Sequence, residues 1–289
     1  VFYAASIGVP LREVSRAFEA EYPRTRVQLE GSGSRTAARK VTELNRRCDV
    51  LISADDVVID DLLIPEYAAW CLRFTGNEMC VAYHDESSYI SEAESGGWLG
   101  VLAREDVRVA RCDPDTAPCG YRAIHALKLA ERYHGESGIV EKILAKDGRY
   151  MRPKESGLLG LLEMQAVDYA LMYRSTAERH GFGVIELPSE VNLSEPALAD
   201  RYSEVSTDIS GEAPGERVSQ KGSPILYGLT IPASSPNPDA AVAFVDFLFG
   251  SDAARSVFQE AFLPLLPPLP VGEYEDIPPA LQRHGLPET

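Results

Sequence analysis

The sequence predicts a two-lobed α/β protein with mixed, mostly parallel sheets flanked by helices, and three observations carry that prediction. Its 289 residues amount to about two folding units at roughly 150 residues per domain. A short β-rich run, a small-residue turn and an amphipathic helix recur three times in the first quarter, the pattern of a parallel sheet. A strand near Met79 leads out of the first lobe and one near Ile225 leads back. Lobe I is therefore expected to hold residues 1–82 plus 229–289 and lobe II residues 83–228, with two hinge crossings and a cleft between the lobes.

The first segment reads as a strand at Val1 to Ala4, a turn at Ala5 and Ser6, and a helix from about Pro10, whose fixed φ suits a first helical position. In the second, Val27 to Leu29 is followed by Gly31-Ser32-Gly33-Ser34 and a helix from Arg35 to about Arg46. The third runs from Val50 to Ile52 through Ser53-Ala54-Asp55 into a helix that closes before Pro65. Further on, strands are expected at Met79 to Tyr83, Val107 to Ala110, Val167 to Met172 and Ile225 to Ile231, with an edge strand at Glu204 to Ile209. Helices are expected at Cys119 to Tyr133, from Glu155 through Leu162, at Asp239 to Phe249 and at Asp252 to Phe262, with a Pro-rich extended tail from Pro264.

Each early turn places a hydroxyl or small residue where a helix begins, at the carboxyl end of a strand. Open α/β sheets bind ligands at such ends. The first N–H groups of a helix have no internal partner and the helix dipole is positive there, which suits an anion. One such turn is most simply a helix cap. Three in succession point to an anion site, because parallel strands bring their carboxyl ends together.

Charge excludes one class of partner. The net charge is -16, and of the 28 basic residues only six are Lys. A nucleic acid demands a basic face, so none is expected. The acid reads first as a solvated surface, and its Lys-poor character resembles that of halophile proteins. No uninterrupted apolar run approaches the roughly 20 residues of a membrane helix. The five cysteines, Cys48, Cys71, Cys80, Cys112 and Cys119, lack zinc-ligand spacing. They admit a local disulfide, Cys112 with Cys119 or Cys71 with Cys80, or they are buried small hydrophobes. Asn192-Leu193-Ser194 matches a glycosylation sequon. The first residue, Val1, already lies in a strand-like run without a Met, and an N-terminal segment is expected ahead of it.

Several stretches in order resemble one known family over nearly the whole chain. They are Ala5-Ser6-Ile7-Gly8-Val9-Pro10, Gly33-Ser34, Asp49 to Asp55, Ile64-Pro65 through Trp70, Asn77-Glu78-Met79, Pro118-Cys119-Gly120-Tyr121-Arg122, Arg152-Pro153-Lys154-Glu155, Asp168-Tyr169 through Tyr173, and Tyr227 to Pro232. The sequence is similar to the archaeal-type molybdate- and tungstate-binding proteins of ABC importers. The resemblance implies a periplasmic-binding-protein type 2 fold that closes over a dehydrated oxyanion, outside the cytoplasmic membrane. It implies an ABC transporter permease as partner, a missing N-terminal segment as anchor and a monomeric state. No cofactor is implied beyond the bound molybdate or tungstate. Carried over by motif, the contacts are Ala5, Ser6, Ser34, Ala117, Pro118, Cys119, Glu155 and Tyr173. Pro118 has no N–H, so Cys119 is the donor there. Glu155 is the candidate for direct contact with Mo or W.

The family carries two adjacent aspartates before Pro-Cys-Gly-Tyr-Arg, whereas here the pair reads Thr116-Ala117. One carboxylate of an expanded metal coordination is thus missing, as in bacterial members, unless Asp113 or Asp115 substitutes. An ionised Glu155 would repel a sulfate dianion in a poorly screened site. The plain alternatives are a first-turn helix acid for Glu155 and a core residue for Tyr173. Arg35, Arg39, Lys40 and Arg122, on the helices that follow the turns, are expected to face solvent or surface acids.

The alternatives on the same residues are a binder of another anion or of ferric iron, within the same binding class, and an enzyme. An enzyme, in particular a hydrolase of phosphate or sulfate esters, finds no triad, nucleophile elbow or phosphate loop among the five histidines and the glycine motifs. A ferric-iron binder would use Tyr83, Tyr173 and carboxylates.

Overall fold

The computed structural model describes residues 1–211, 215–263 and 265–284. The chain divides into two compact units, one of Val1–Gly76 with Leu226–Thr289 and one of Asn77–Ile225.

Unit 1 opens with β1 (Phe2–Ala4), α1 (Gly8–Glu21), β2 (Glu30–Ser32), α2 (Ser34–Thr42), β3 (Leu51–Ser53), α3 (Val57–Leu63) and β4 (Trp70–Gly76). β1 pairs in parallel with β2 and β3, in a register that sets Ala4 opposite Ser32 and Tyr3 opposite Ile52. The turns after these three strands therefore lie level along one end of the sheet. β2 falls three residues later than the apolar run Val27 to Leu29 suggested. Its registered part is the polar Glu-Gly-Ser segment, and Gly31 is needed there because a Cβ would come within 2.8 Å of the Tyr3 ring. β4 was invisible to an alternation rule because it is an inner strand buried on both faces.

Unit 2 follows with β5 (Met79–Tyr83), the short α4 (Ile90–Glu92) and α5 (Trp98–Leu102), β6 (Val109–Ala110), α6 (Pro118–His134), α7 (Ile139–Asp147), α8 (Ser156–Glu163), β7 (Tyr169–Tyr173), α9 (Arg174–Arg179), β8 (Gly183–Glu186), α10 (Ser189–Asn192), α11 (Ala199–Tyr202) and the hairpin β9 (Ser206–Ser210) and β10 (Arg217–Lys221). Its four-stranded sheet runs β6-β7-β5-β8, parallel only between β6 and β7. α6 starts on Pro118 at its first position and stops at Gly135, which is left-handed at φ 68°. Helix packing has a tight point at Gly120, where a Cβ would stand 2.5 Å from the Asp113 backbone.

The chain returns to unit 1 as β11 (Leu226–Thr230), α12 (Pro238–Gly250), α13 (Asp252–Glu260), β12 (Leu265–Gly272) and α14 (Pro279–Gln282). The six-stranded sheet is ordered β12-β4-β11-β3-β1-β2, with β11, β4 and β12 antiparallel to their neighbours. Parallel pairing is confined to β1 with β2 and β3 and to β6 with β7, strands whose connections contain helices. The core between sheet and helices includes Phe18, edge-on to Phe244 at 5.2 Å and Phe247 at 5.6 Å. Pro264 lies outside the described residues; beyond it the tail is an edge strand and a short helix.

Burial decides three further points. All five cysteines are free and buried, so neither local disulfide forms. Asn192 of the sequon is buried, and its amide donates to Glu78 Oε2 at 2.6 Å and to the Leu187 carbonyl. Arg35 and Arg122 do not face solvent but are buried, Arg122 donating to the Ser223 carbonyl at 2.8 Å. Arg39 and Lys40 do pair with surface acids, Glu43 and Glu30. No helix among the described residues is long and apolar enough to cross a membrane.

Candidate functional site

In unit 1 the donor turns gather at the carboxyl ends of β1, β2 and β3. Ala5 and Ser6 begin the single 3-10 turn after β1, and Ser6 is buried with its Oγ 2.9 Å from the Tyr227 hydroxyl. Ser34 opens α2 directly after β2 and is fully buried; its Oγ accepts the Ala54 N–H at 2.9 Å. With that lone pair engaged from behind, the Ser34 proton remains for an acceptor in front. Ser53 differs. Its hydroxyl donates to the Asp55 carbonyl at 2.5 Å and accepts the Asp55 N–H at 3.1 Å, which spends its proton within its own turn. The level register of β1 and β2 makes Ser6 and Ser34 neighbours on one edge.

A cavity of about 710 Å³ in unit 1, lined among others by Arg24, Arg26, Arg46 and Phe244, lies at the amino ends of these strands. It is at the wrong end of the sheet to be part of the donor turns.

Unit 2 brings Cys119, Glu155 and Tyr173 together. Glu155 precedes α8, Tyr173 ends β7 and precedes α9, and Cys119 is the second residue of α6. The Glu155 carboxylate accepts the Tyr173 N–H at 2.8 Å on Oε1 and the Thr176 hydroxyl at 2.9 Å on Oε2, with the Cys119 thiol 3.9 Å from Oε1. Burial raises this carboxyl from 4.5 to about 7, against the pull of its Tyr173 and Thr176 donors. Near neutrality it is therefore only partly ionised. That weakens the repulsion expected between Glu155 and a sulfate dianion. The Cys119 thiol is pushed well above its ordinary range by contact with Cys112 and by burial, so it stays protonated and can donate.

At the start of α6, the Ala117 N–H is committed to the Asp113 carbonyl at 3.1 Å. Pro118 has no N–H, and the N–H of Cys119 belongs to the first turn, which the helix leaves without an internal acceptor. Asp115 is not placed to replace the missing family aspartate. Its Oδ1 accepts the Ser210 N–H at 2.7 Å and Arg217 at 2.9 Å. Burial alone would raise its pKa, but these donors hold the carboxyl below its ordinary range. Asp113 Oδ1 accepts the Asp115 N–H at 2.9 Å, which closes a local turn.

Sequence reasoning did not single out three partners of these residues: the Tyr227 hydroxyl, the Ala54 N–H and the Thr176 hydroxyl. Tyr227 left a signal as the first residue of the Tyr-Gly-Leu-Thr-Ile-Pro stretch and Ala54 as part of the Ser53-Ala54-Asp55 turn, whereas Thr176 left none. The register does not set Tyr83 and Tyr173, the tyrosines of the iron reading, side by side. Tyr83 faces Tyr169 and Tyr173 faces Met79, so the two tyrosines stand at opposite ends of the paired strands, about 13 Å apart.

Two α/β units linked by two chain crossings carry hydroxyl and N–H donors at strand ends and helix starts, an arrangement suited to holding a solute. The chain belongs to the bacterial extracellular solute-binding protein family, whose model matches residues 1–263. An uncharacterised solute-binding protein of Petrotoga mobilis is 41% identical over 98% of this chain and 88% of its own. The molybdate/tungstate-binding protein WtpA of Thermococcus kodakarensis is 35% identical over 94% of this chain and 83% of its own. Among solved structures, the periplasmic molybdate-binding protein of Azotobacter vinelandii superposes with a TM-score of 0.64 at 15% identity, over 92% of this chain and 98% of that one. The sulfate-binding protein SubI of Mycobacterium tuberculosis gives 0.58 at 14% identity, over 98% and 88%. At these identities the two structures speak for the fold alone.

Proposed function

We propose that the protein captures a tetrahedral oxyanion, molybdate or tungstate, and delivers it to an ABC transporter permease. The observation that carries this reading is the state of Ser34: its hydroxyl accepts from the Ala54 N–H at 2.9 Å, is buried, and has its proton left for a group that only accepts. Fully ionised tetrahedral oxyanions are such groups, and hydrogen bonds to them are charge-assisted. Ser6 and the N–H groups of the Ala5-Ser6 turn act beside Ser34, and the candidate contacts of unit 2 are the Cys119 N–H, Glu155 and the Tyr173 hydroxyl. With donors of this kind no cation is needed, which fits a chain of net charge -16. Ala117 in place of an aspartate favours a ligand that keeps four oxygens and makes no carboxylate bond there. The name of the relative from Thermococcus supports molybdate and tungstate over other oxyanions.

The test is calorimetric titration of anion-stripped protein with tungstate, molybdate, sulfate and phosphate at one high salt concentration, with Ser34→Ala as control. Tight binding of tungstate or molybdate, weak or no binding of sulfate, and a loss of at least tenfold in Ser34→Ala are expected. Preference for sulfate, or no binding of any of the four, refutes the reading.

A further inference from the structure

We infer that Tyr227 is a positioning residue for anion capture: its phenol donates to Ser6 Oγ and so commits the Ser6 proton to the bound anion. The inference rests on the oxyanion reading above. The two oxygens are 2.9 Å apart and both residues are buried, although 221 positions separate them in the chain. Their strands are not neighbours. β3 lies between β11 and β1, so the phenol reaches across two strand spacings, roughly 10 Å.

Local backbone geometry is built for that reach. The register between β11 and β4 shifts between Tyr227 and Gly228, a bulge of the kind that re-aims a side chain. Gly228 is required beside it, since a Cβ there would meet Cys71 Sγ at 2.6 Å and Asp56 Cα at 3.0 Å.

The direction of the bond follows from proton counting. Distance alone allows either hydroxyl to donate. An ionised oxyanion offers only lone pairs, and Ser6 has one proton, so a Ser6 that touches the anion has none to give Tyr227. Tyr227 must then donate to Ser6. The result is a two-step chain, phenol to serine to anion, in which each bond polarises the next. Ser34 is served in the same way by the Ala54 N–H. Both hydroxyls at the strand ends thus have a donor behind them, one from the backbone and one from a side chain, whereas Ser53 spends its proton inside its own turn.

The experiment is a double-mutant cycle on tungstate affinity, by calorimetry, with wild type, Tyr227→Phe, Ser6→Ala and the double variant. Tyr227→Phe keeps the ring and is expected to weaken binding about tenfold, the size of one lost hydrogen bond in a charge-assisted chain. In the Ser6→Ala background the same change should cost little. Equal affinity of Tyr227→Phe and wild type, or an undiminished penalty without Ser6, overturns the inference while leaving the oxyanion reading in place. A wild type that binds no oxyanion overturns both. Should Tyr227→Phe not fold, the tungstate-induced tyrosine difference spectrum decides: its amplitude should fall in Ser6→Ala, and an unchanged spectrum refutes the chain.

Discussion

Replacing Glu155 by Gln should remove a pH dependence that the wild-type fold carries. The folded carboxyl titrates at about 7 and the unfolded one at 4.5, so between those values the folded protein binds more protons. Stability is therefore fully present below about pH 4.5 and is lost as pH rises through 7, where the buried group has to ionise. At about 1.4 kcal/mol per pKa unit the whole loss comes to about 3 kcal/mol. Gln stays neutral throughout. Its carbonyl can still accept the Tyr173 N–H, and its amide can face the Thr176 oxygen, so the variant is expected to fold. Thermal unfolding of anion-free protein from pH 4.5 to 8 measures the effect. All other titrating groups are common to both proteins, so the difference between the two curves isolates residue 155. That difference should shift by about 3 kcal/mol against wild type across the range, or roughly 6–12 °C in Tm. Parallel curves would show that Glu155 is not the desolvated, partly neutral acid its surroundings imply.

Gly120→Ala should destabilise the protein by about 1–3 kcal/mol in urea unfolding, because the new Cβ would stand 2.5 Å from the Asp113 backbone, which cannot swing away as a side-chain tip can; an unchanged midpoint would mean that the loop before α6 is free to move. All five cysteines are buried and free, so a thiol titration should find none reactive in the native protein and five after denaturation without reductant. A lower count in denaturant would reveal a disulfide.

The elements most legible in the sequence were those with strong local signals. Met79 to Tyr83 is a strand as read, and α6, α12 and α13 begin within a residue of the expected Cys119, Asp239 and Asp252, because acidic first-turn residues and apolar periodicity act over a few neighbours. β2 was displaced because the apolar Val27-Gln28-Leu29 looks more strand-like than Glu30-Gly31-Ser32, while the register with β1 picks the latter. β4 and β12 carry no alternation to read: one is buried on both faces and the other is an edge strand with prolines.

The site divides along the same line. Ser6 and Ser34 stand out as candidates from the chain alone, because a hydroxyl residue at a strand-to-helix turn is a local feature with a local cause, the unpaired N–H groups of a helix start, whereas Cys119 enters only through the family resemblance. The α/β character and the order of the turns were equally local or compositional. What each group does with its proton is a different matter. Ser53 and Ser34 look alike in sequence, yet one is spent on its own turn and the other is backed by Ala54. Asp115 looked able to replace a carboxylate until the hairpin residues Ser210 and Arg217 claimed it. Glu155 acquires its raised pKa only when α6, α8, β7 and α9 close around it, and Tyr227 meets Ser6 across an intervening strand. Hydrogen bonding and desolvation depend on distances of a few ångströms between residues far apart in the chain, and packing alone sets those distances.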